Sequence, residues 1–191
     1  GEEIMDRIGM AWNMAKHIKR VPYVFFDEKL MSSVENEKWV ESVFDDALRN
    51  EEFMVYYQPK VTLKNYRLNG AEALCRWMHD GQLILPYRFI PVLEQNGVIA
   101  DLDRIVWRKV CEFQRQCIDK GYEPLPISIN VSRIDIFSMN VPEYLFELLE
   151  KYDLSPDMIK VEVTESAYAE CGDKIIRTVN ELRNYGIIVM M

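Results

Sequence analysis

The stretch "GAEALCRW", residues 70–77, sets a glutamate and an arginine inside an otherwise apolar run. Read as a β-strand, its side chains alternate in facing: Glu72, Leu74 and Arg76 share one face, and Ala71, Ala73, Cys75 and Trp77 share the other. One face is wholly apolar and suits a core. The other holds a carboxylate and a guanidinium around a leucine, and two readings are open for it. Glu72 and Arg76 neutralise each other at a solvated edge, or both are kept for a ligand.

Immediately upstream, "FMVYYQPKVTL" (53–63) reads as another strand, and the turn-rich "KNYR" (64–67) joins the two as an antiparallel pair. Downstream, helical and strand patterns alternate. Helices are expected over "YRFIPVLEQNG" (87–97), "ADLDRIVWRKVCEFQRQCIDKG" (100–121), "EYLFELLEKYD" (143–153) and "DKIIRTVNELRNYG" (173–186). Strands are expected over "LPISINVS" (125–132), "MIKVEVTE" (158–165) and "IIVMM" (187–191). Such alternation predicts an α/β fold with a largely parallel sheet. Roughly five strands result, whereas a closed eight-stranded barrel takes about 250 residues. The sheet is therefore either a smaller doubly wound one or a barrel of which this sequence holds a part. "IIVMM" as an apolar edge strand would invite pairing with another chain, so self-association, a homodimer included, is expected.

Ahead of these strands, residues 2 to about 18 read as an amphipathic helix with Ile4, Ile8, Ala11, Ala15 and Ile18 at helical spacing. "VPYVFFD" (21–27) reads as a short strand. "SSVENEKWVESVFDDALRN" (32–50) reads as a second helix, with Ser32 and Glu35 at capping-box spacing. A lone helix and strand cannot form a domain. Residues 1–29 are thus read as the tail of a preceding domain, 30–49 as a linker helix and 50–191 as the main domain.

The composition narrows the chemistry. With 191 residues, 49% hydrophobic and 12% aromatic, the chain can bury a core and is not disordered. Its 23 basic and 31 acidic residues give a net charge of −8, which disfavours polymeric nucleic acid and leaves room for a small anionic ligand. Cys75, Cys111, Cys117 and Cys171 are scattered without a C-x-x-C pair, as expected of free thiols in a reducing cytoplasm. The only histidines, His17 and His79, exclude a His-rich zinc or copper site and serve a Ser-His-Asp triad poorly. A metal would fall to carboxylates and amides, which favours Mg²⁺ or Mn²⁺. The start "GEEIMDRIGM" lacks the apolar run of a signal peptide, and no stretch is long enough to cross a membrane. A parent protein anchored upstream is compatible with this.

Several strands carry improbable polar residues near their carboxyl ends. The first has Gln58, and the second has Glu72 and Arg76. In "PISINVS", Ser128, Asn130 and Ser132 share a face; in "KVEVTES", Glu162 and Thr164 do, with Glu165 where strand gives way to loop. Ligands of α/β folds lie at the carboxyl ends of parallel strands, so these side chains are expected to converge on one mouth. Each has a plain alternative: Asn130 capping a helix, Glu162 bonding a Lys or Arg of a neighbouring strand, Gln58 bonding backbone. Jointly, two carboxylates and an amide oxygen suit a divalent metal, and Arg76 suits bidentate recognition of phosphate.

"YYQPKV", "GAEALCRW", "FIPVLEQNGVIADLD", "SINVS" and "VEVTES" occur in the order and approximate spacing of the EAL domain, a bacterial cyclic di-GMP phosphodiesterase, which residues 43–191 resemble. The preceding "AWNMAKHIKRVPYVFFDEK" resembles the last helix and strand of a GGDEF, or diguanylate cyclase, domain. The resemblance implies a (β/α)₈ TIM-like barrel of EAL type, here about its first half, which binds cyclic di-GMP. With Mg²⁺ or Mn²⁺ such a barrel hydrolyses one phosphodiester to give linear pGpG. Glu72, Asn130 and Glu162 match the family's metal ligands. Gln58, Leu74 and Arg76 match residues that contact the dinucleotide, and Glu165 matches a glutamate that supports a loop near the metals. The family continues beyond the position of Met191 with a D-D-F-G run that supplies further ligands. The piece alone is therefore expected to be inactive, with hydrolysis, or binding without cleavage, belonging to the parent protein.

Overall fold

A computed structural model describes residues 2–17, 26–163 and 172–190. They form two units, residues 1–47 and 48–191. The first holds α1 (Glu2–His17) and most of α2 (Glu28–Arg49). Helix α2 begins four residues ahead of its expected start. The Asp27 carboxylate accepts the Leu30 N–H at 2.8 Å and so does the capping expected of Ser32, which lies with Glu35 inside the helix. The strand expected over residues 21–27 falls outside the described residues, except for Phe26 and Asp27, which are neither helix nor strand.

The second unit is a six-stranded sheet with helices. Strands β1 (Phe53–Val61) and β2 (Leu68–His79) pair antiparallel from Phe53 opposite Trp77 to Lys60 opposite Gly70, with a register shift at Lys60/Val61. A short β3 (Gln82–Ile84), absent from the sequence reading, folds back on the end of β2. Its two-residue turn uses Asp80 (φ 48°) and Gly81 (φ 74°), the left-handed pair that an Asp-Gly hairpin of type I′ requires. Strands β4 (Ile127–Val131), β5 (Ile159–Val163) and β6 (Ile188–Met190) run parallel to β2, in the order β1-β2-β4-β5-β6. The connections hold α3 (Pro86–Gln95), α4 (Ile99–Asp119), α5 (Arg133–Ser138), α6 (Val141–Lys151) and α7 (Gly172–Asn184).

Alternation along the strands sends the apolar set to the helix side. Ala73, Trp77, Ile127, Ile129, Val131, Ile159, Val161 and Val163 are buried there, with Val106, Trp107 and Val110 of α4 and Leu145 and Leu149 of α6. Ile175, Val179 and Leu182 of α7 complete this layer. Tyr57 stacks on Phe113 of α4 at 4.4 Å between ring centroids. The opposite face of the strands is polar and half-exposed. A doubly wound sheet would cover both faces with helices, whereas a barrel wall covers one. The arrangement is that of a TIM-barrel wall.

Two local features hold the β2–β4–α5 region. The backbone of β2 runs so close to the segment before β4 that the Ala71 N–H donates to the Pro126 carbonyl at 3.1 Å. A Cβ on Gly70 would lie 2.7 Å from that oxygen. Just past β4, Ser132 and Asp135 form the capping box of α5: the Ser132 N–H donates to Asp135 Oδ2 at 2.6 Å, and the Asp135 N–H donates to Ser132 Oγ at 3.1 Å. Asp135 is fully buried, and its second carboxyl oxygen has no donor. Asp103 of α4 is hydrogen-bonded beside it. Burial first, and then the neighbouring Asp135 and Glu94, push the Asp103 carboxyl well above the usual range. Burial also raises Asp135. Both carboxyls are thus biased toward the protonated form, in which Asp103 can donate to its neighbour. Among the described residues no helix is long and apolar enough to cross a membrane.

Two outcomes are expected. Gly70→Ala should cost about 1–3 kcal/mol, because the Pro126 carbonyl is backbone and cannot swing aside; urea unfolding measures it. A carboxyl whose folded pKa lies above its unfolded value of about 3.9 contributes fully below that value and loses the contribution as pH rises through the folded pKa. The contribution of this pair to stability should therefore fall as the pH is raised above about 4. Asp103→Asn keeps a donor toward Asp135 and has no proton to lose, so its urea midpoint should vary less with pH.

Candidate active site

The polar face is ordered by register. Gln58 lies opposite Glu72, which pairs with Ser128, which pairs with Lys160. One step toward the mouth, Asn130 pairs with Glu162, and Glu162 with Met190. Leu74 faces Tyr56, and Arg76 faces Met54. Gln58, Glu72, Leu74, Arg76, Asn130 and Glu162 thus share one face, as their spacing requires. Gln58 needs a correction: β1 runs antiparallel to β2, so its carboxyl end points away from the mouth, and register rather than strand end brings Gln58 beside Glu72. Glu165 lies outside the described residues.

A residue not singled out from the sequence organises this face. Lys60 Nζ donates to Glu162 Oε1 in a short contact and to Ser128 Oγ at 3.1 Å, and lies 3.7 Å from Glu72 Oε2. Glu72 and Glu162 are each 26% exposed, so their charges are only partly hydrated and the ammonium compensates both. Lys60 is on β1 and Glu162 on β5, with β2 and β4 between them. In a flat sheet these strands would stand about 14 Å apart, and the contact forms because the sheet curls. The signal for Lys60 was present in the sequence, since it follows Gln58 by two and so shares its face. Ser128, which strand alternation also places on this face, is fully buried and accepts from Lys60 Nζ.

Arg76 makes no pair with Glu72 among the described residues, which sets aside the neutral-edge reading of "GAEALCRW". Its Nη1 donates to the Cys75 carbonyl at 2.8 Å, and its guanidinium lies 5.5 Å from the Tyr56 ring centroid. The plain reading of Glu162, a bond to a lysine, does hold, although the lysine is three strands away. Asn130 is exposed and caps no helix, that task being done by Ser132; its backbone carbonyl accepts from the Trp107 indole N–H at 3.1 Å.

Between the outer part of β2, β4 and helices α3 to α5 opens a cavity of about 640 Å³, lined by Leu74, Arg76, Glu94, Asp103, Asn130 and Arg133 among others, and by neither Glu72 nor Glu162. That volume suits a small organic ligand, to which the guanidinium groups of Arg76 and Arg133 offer charged donors beside the carboxyls of Glu94 and Asp103. Thiol chemistry is not available here: burial first, then the nearby Asp103, pushes Cys75 up to about 12, and burial pushes Cys111 to about 12. Among the described residues no three His, Cys, Asp or Glu side chains cluster; the oxygen donors that this face brings together, and that could hold a metal, are Glu72, Glu162 and the Asn130 amide. These hard oxygen donors fit a divalent cation of the Mg²⁺ or Mn²⁺ kind. The ammonium already lying between the two carboxylates marks the place as one that takes a cation.

Comparison with known proteins gives the family. Signaling protein YkoW of Bacillus subtilis is 32% identical over 188 residues, 98% of this chain and 23% of that protein. Cyclic di-GMP phosphodiesterase NbdA of Pseudomonas aeruginosa is 30% identical over 187 residues, 97% of this chain and 24% of that protein. The chain spans about a quarter of the length of these curated relatives. The solved PaMucR phosphodiesterase in complex with c-di-GMP superposes with a TM-score of 0.74 at 28% identity, over 79% of this chain and 62% of that one. The family model for the EAL domain matches residues 41–191, so this chain belongs to the EAL-domain family.

Proposed function

We propose that the protein containing this chain binds cyclic di-GMP and, with Mg²⁺ or Mn²⁺, hydrolyses it to linear pGpG. The observation that carries the reading is the convergence of Glu72 and Glu162 from β2 and β5 on one cation position, with Asn130 beside Glu162 and the Arg76-lined cavity adjoining. Family membership and a neighbour solved with c-di-GMP support it. Glu72, Asn130 and Glu162 would hold the metal. When bound, a divalent ion polarises a phosphoryl oxygen and supplies a nucleophilic water at neutral pH.

The chain's own residues bind and orient. Arg76 offers an always-charged planar fork for a phosphate, held flat by Tyr56 and tied to the Cys75 carbonyl. Leu74, on the same face between Glu72 and Arg76, offers an apolar wall for a base or sugar, and Gln58 offers an amide opposite Glu72. The Trp107 indole fixes the backbone at Asn130 and with it the height of the amide relative to Glu162. Glu165 would support a loop near the metal rather than bind it. Residues 1–29 are read as the tail of a GGDEF-like domain and 30–49 as its linker to the EAL domain.

The test is chromatographic, on the protein that carries the whole domain, incubated with cyclic di-GMP and Mn²⁺. Formation of pGpG is expected, and Glu72→Gln should lower turnover by about a hundredfold or more without changing the circular dichroism spectrum. Ligand bound without pGpG would instead make the protein a receptor. Arg76→Lys should weaken cyclic di-GMP binding in equilibrium dialysis by about tenfold, because a point charge replaces a bidentate fork.

A further inference from the structure

The cation position between Glu72 and Glu162 holds the ammonium of Lys60, a residue with no role in the scheme above. We propose that Lys60 is an internal competitor for the divalent metal: it neutralises the carboxylate pair when metal is absent and must swing out for metal to enter. This rests on the metal-site reading above and extends it to what sets the site's affinity.

Three observations carry it. Nζ contacts Glu162 Oε1 directly and stands 3.7 Å from Glu72 Oε2, so it engages both proposed carboxylate ligands at once. A divalent ion bound by the same two carboxylates would lie within a few ångströms of that ammonium, and two cations at such range repel strongly when the surroundings are only partly hydrated. Lys60 also has a means of leaving. It sits on β1 where the register shifts, its side chain is 35% exposed, and its four-carbon stem has rotatable bonds throughout. Ser128 Oγ, fully buried at 3.1 Å from Nζ, holds the ammonium in its inward position. Without metal, the carboxylates keep a counter-charge and the curled sheet a bond between β1 and β5. With metal, that bond is exchanged for ligation.

Mn²⁺ titrations of the protein that carries the whole domain, followed by the electron paramagnetic resonance signal of free Mn²⁺, test this on wild type, Lys60→Met, Lys60→Arg and Glu162→Gln. Lys60→Met should bind Mn²⁺ about tenfold or more tighter than wild type, since the competing charge is gone. Lys60→Arg should stay near wild type, and Glu162→Gln should bind more weakly. In the absence of metal, Lys60→Met should unfold at a lower temperature than wild type and gain more on adding Mn²⁺. Equal or weaker Mn²⁺ binding by Lys60→Met, with Glu162→Gln still impaired, would overturn the competitor role and leave the metal site standing. Mn²⁺ binding insensitive to Glu162→Gln would remove the metal site itself and the competitor role with it. A second readout needs no variant: reductive methylation of wild type read by mass spectrometry should label Lys60 faster with Mn²⁺ present, and an unchanged rate would count against the release.

Discussion

The antiparallel pairing of β1 with β2 is the constraint from which the site follows. Because residues directly opposite on paired strands share a face, fixing Phe53 against Trp77 also fixes Gln58 against Glu72 and aims Lys60 toward the same interior. The register is in turn held from the helix side. Trp77 is fully buried, its indole N–H donates to Glu52 at 2.8 Å, and its ring lies 5.1 Å from Phe53 and 5.5 Å from Phe89. A slip by one residue would bury Glu72 and Arg76 under α4 and expose Trp77, an exchange with a large penalty in both directions. Polar chemistry on one side is thus kept in register by aromatic packing on the other.

Much of this was legible in the sequence, and the reasons differ by element. Alternation in "GAEALCRW" placed Glu72, Leu74 and Arg76 on one face without any tertiary information, because a strand's period is a property of the backbone. The long helix over "ADLDRIVWRKVCEFQRQCIDKG" carries a strong apolar period and returned as α4 within two residues at either end. The start of α2 was misplaced because Ser32 and Glu35 fit a capping pattern by spacing while Asp27, one turn earlier, had the better carboxylate for the task. The strand β3 is only three residues long, too short for periodicity, although the Asp-Gly turn before it was a readable sign.

Lys60 was missed for another reason. Its face followed from alternation, but the contact with Glu162 spans 102 positions in the chain and depends on sheet curvature, which no local pattern encodes. The same curvature decides between a doubly wound sheet and a barrel wall, a choice the strand and helix order alone left open. Long-range shape and the identity of the cation partner are therefore one piece of information, seen once as geometry and once as charge.

The short ladder between β2 and β4 carries a last consequence. These strands pair only at Ala71–Ile127 and Glu72–Ser128, just above the tight approach of Gly70 to Pro126. Beyond that they diverge like the blades of shears, and the cavity occupies the opening, with Leu74 and Arg76 on one blade and Asn130 on the other. The width available to a ligand is then fixed by where the blades are riveted, not by the side chains along their edges. Substitutions at the edges can retune what the opening recognises, while its calibre stays tied to a backbone contact at the far end of the strands.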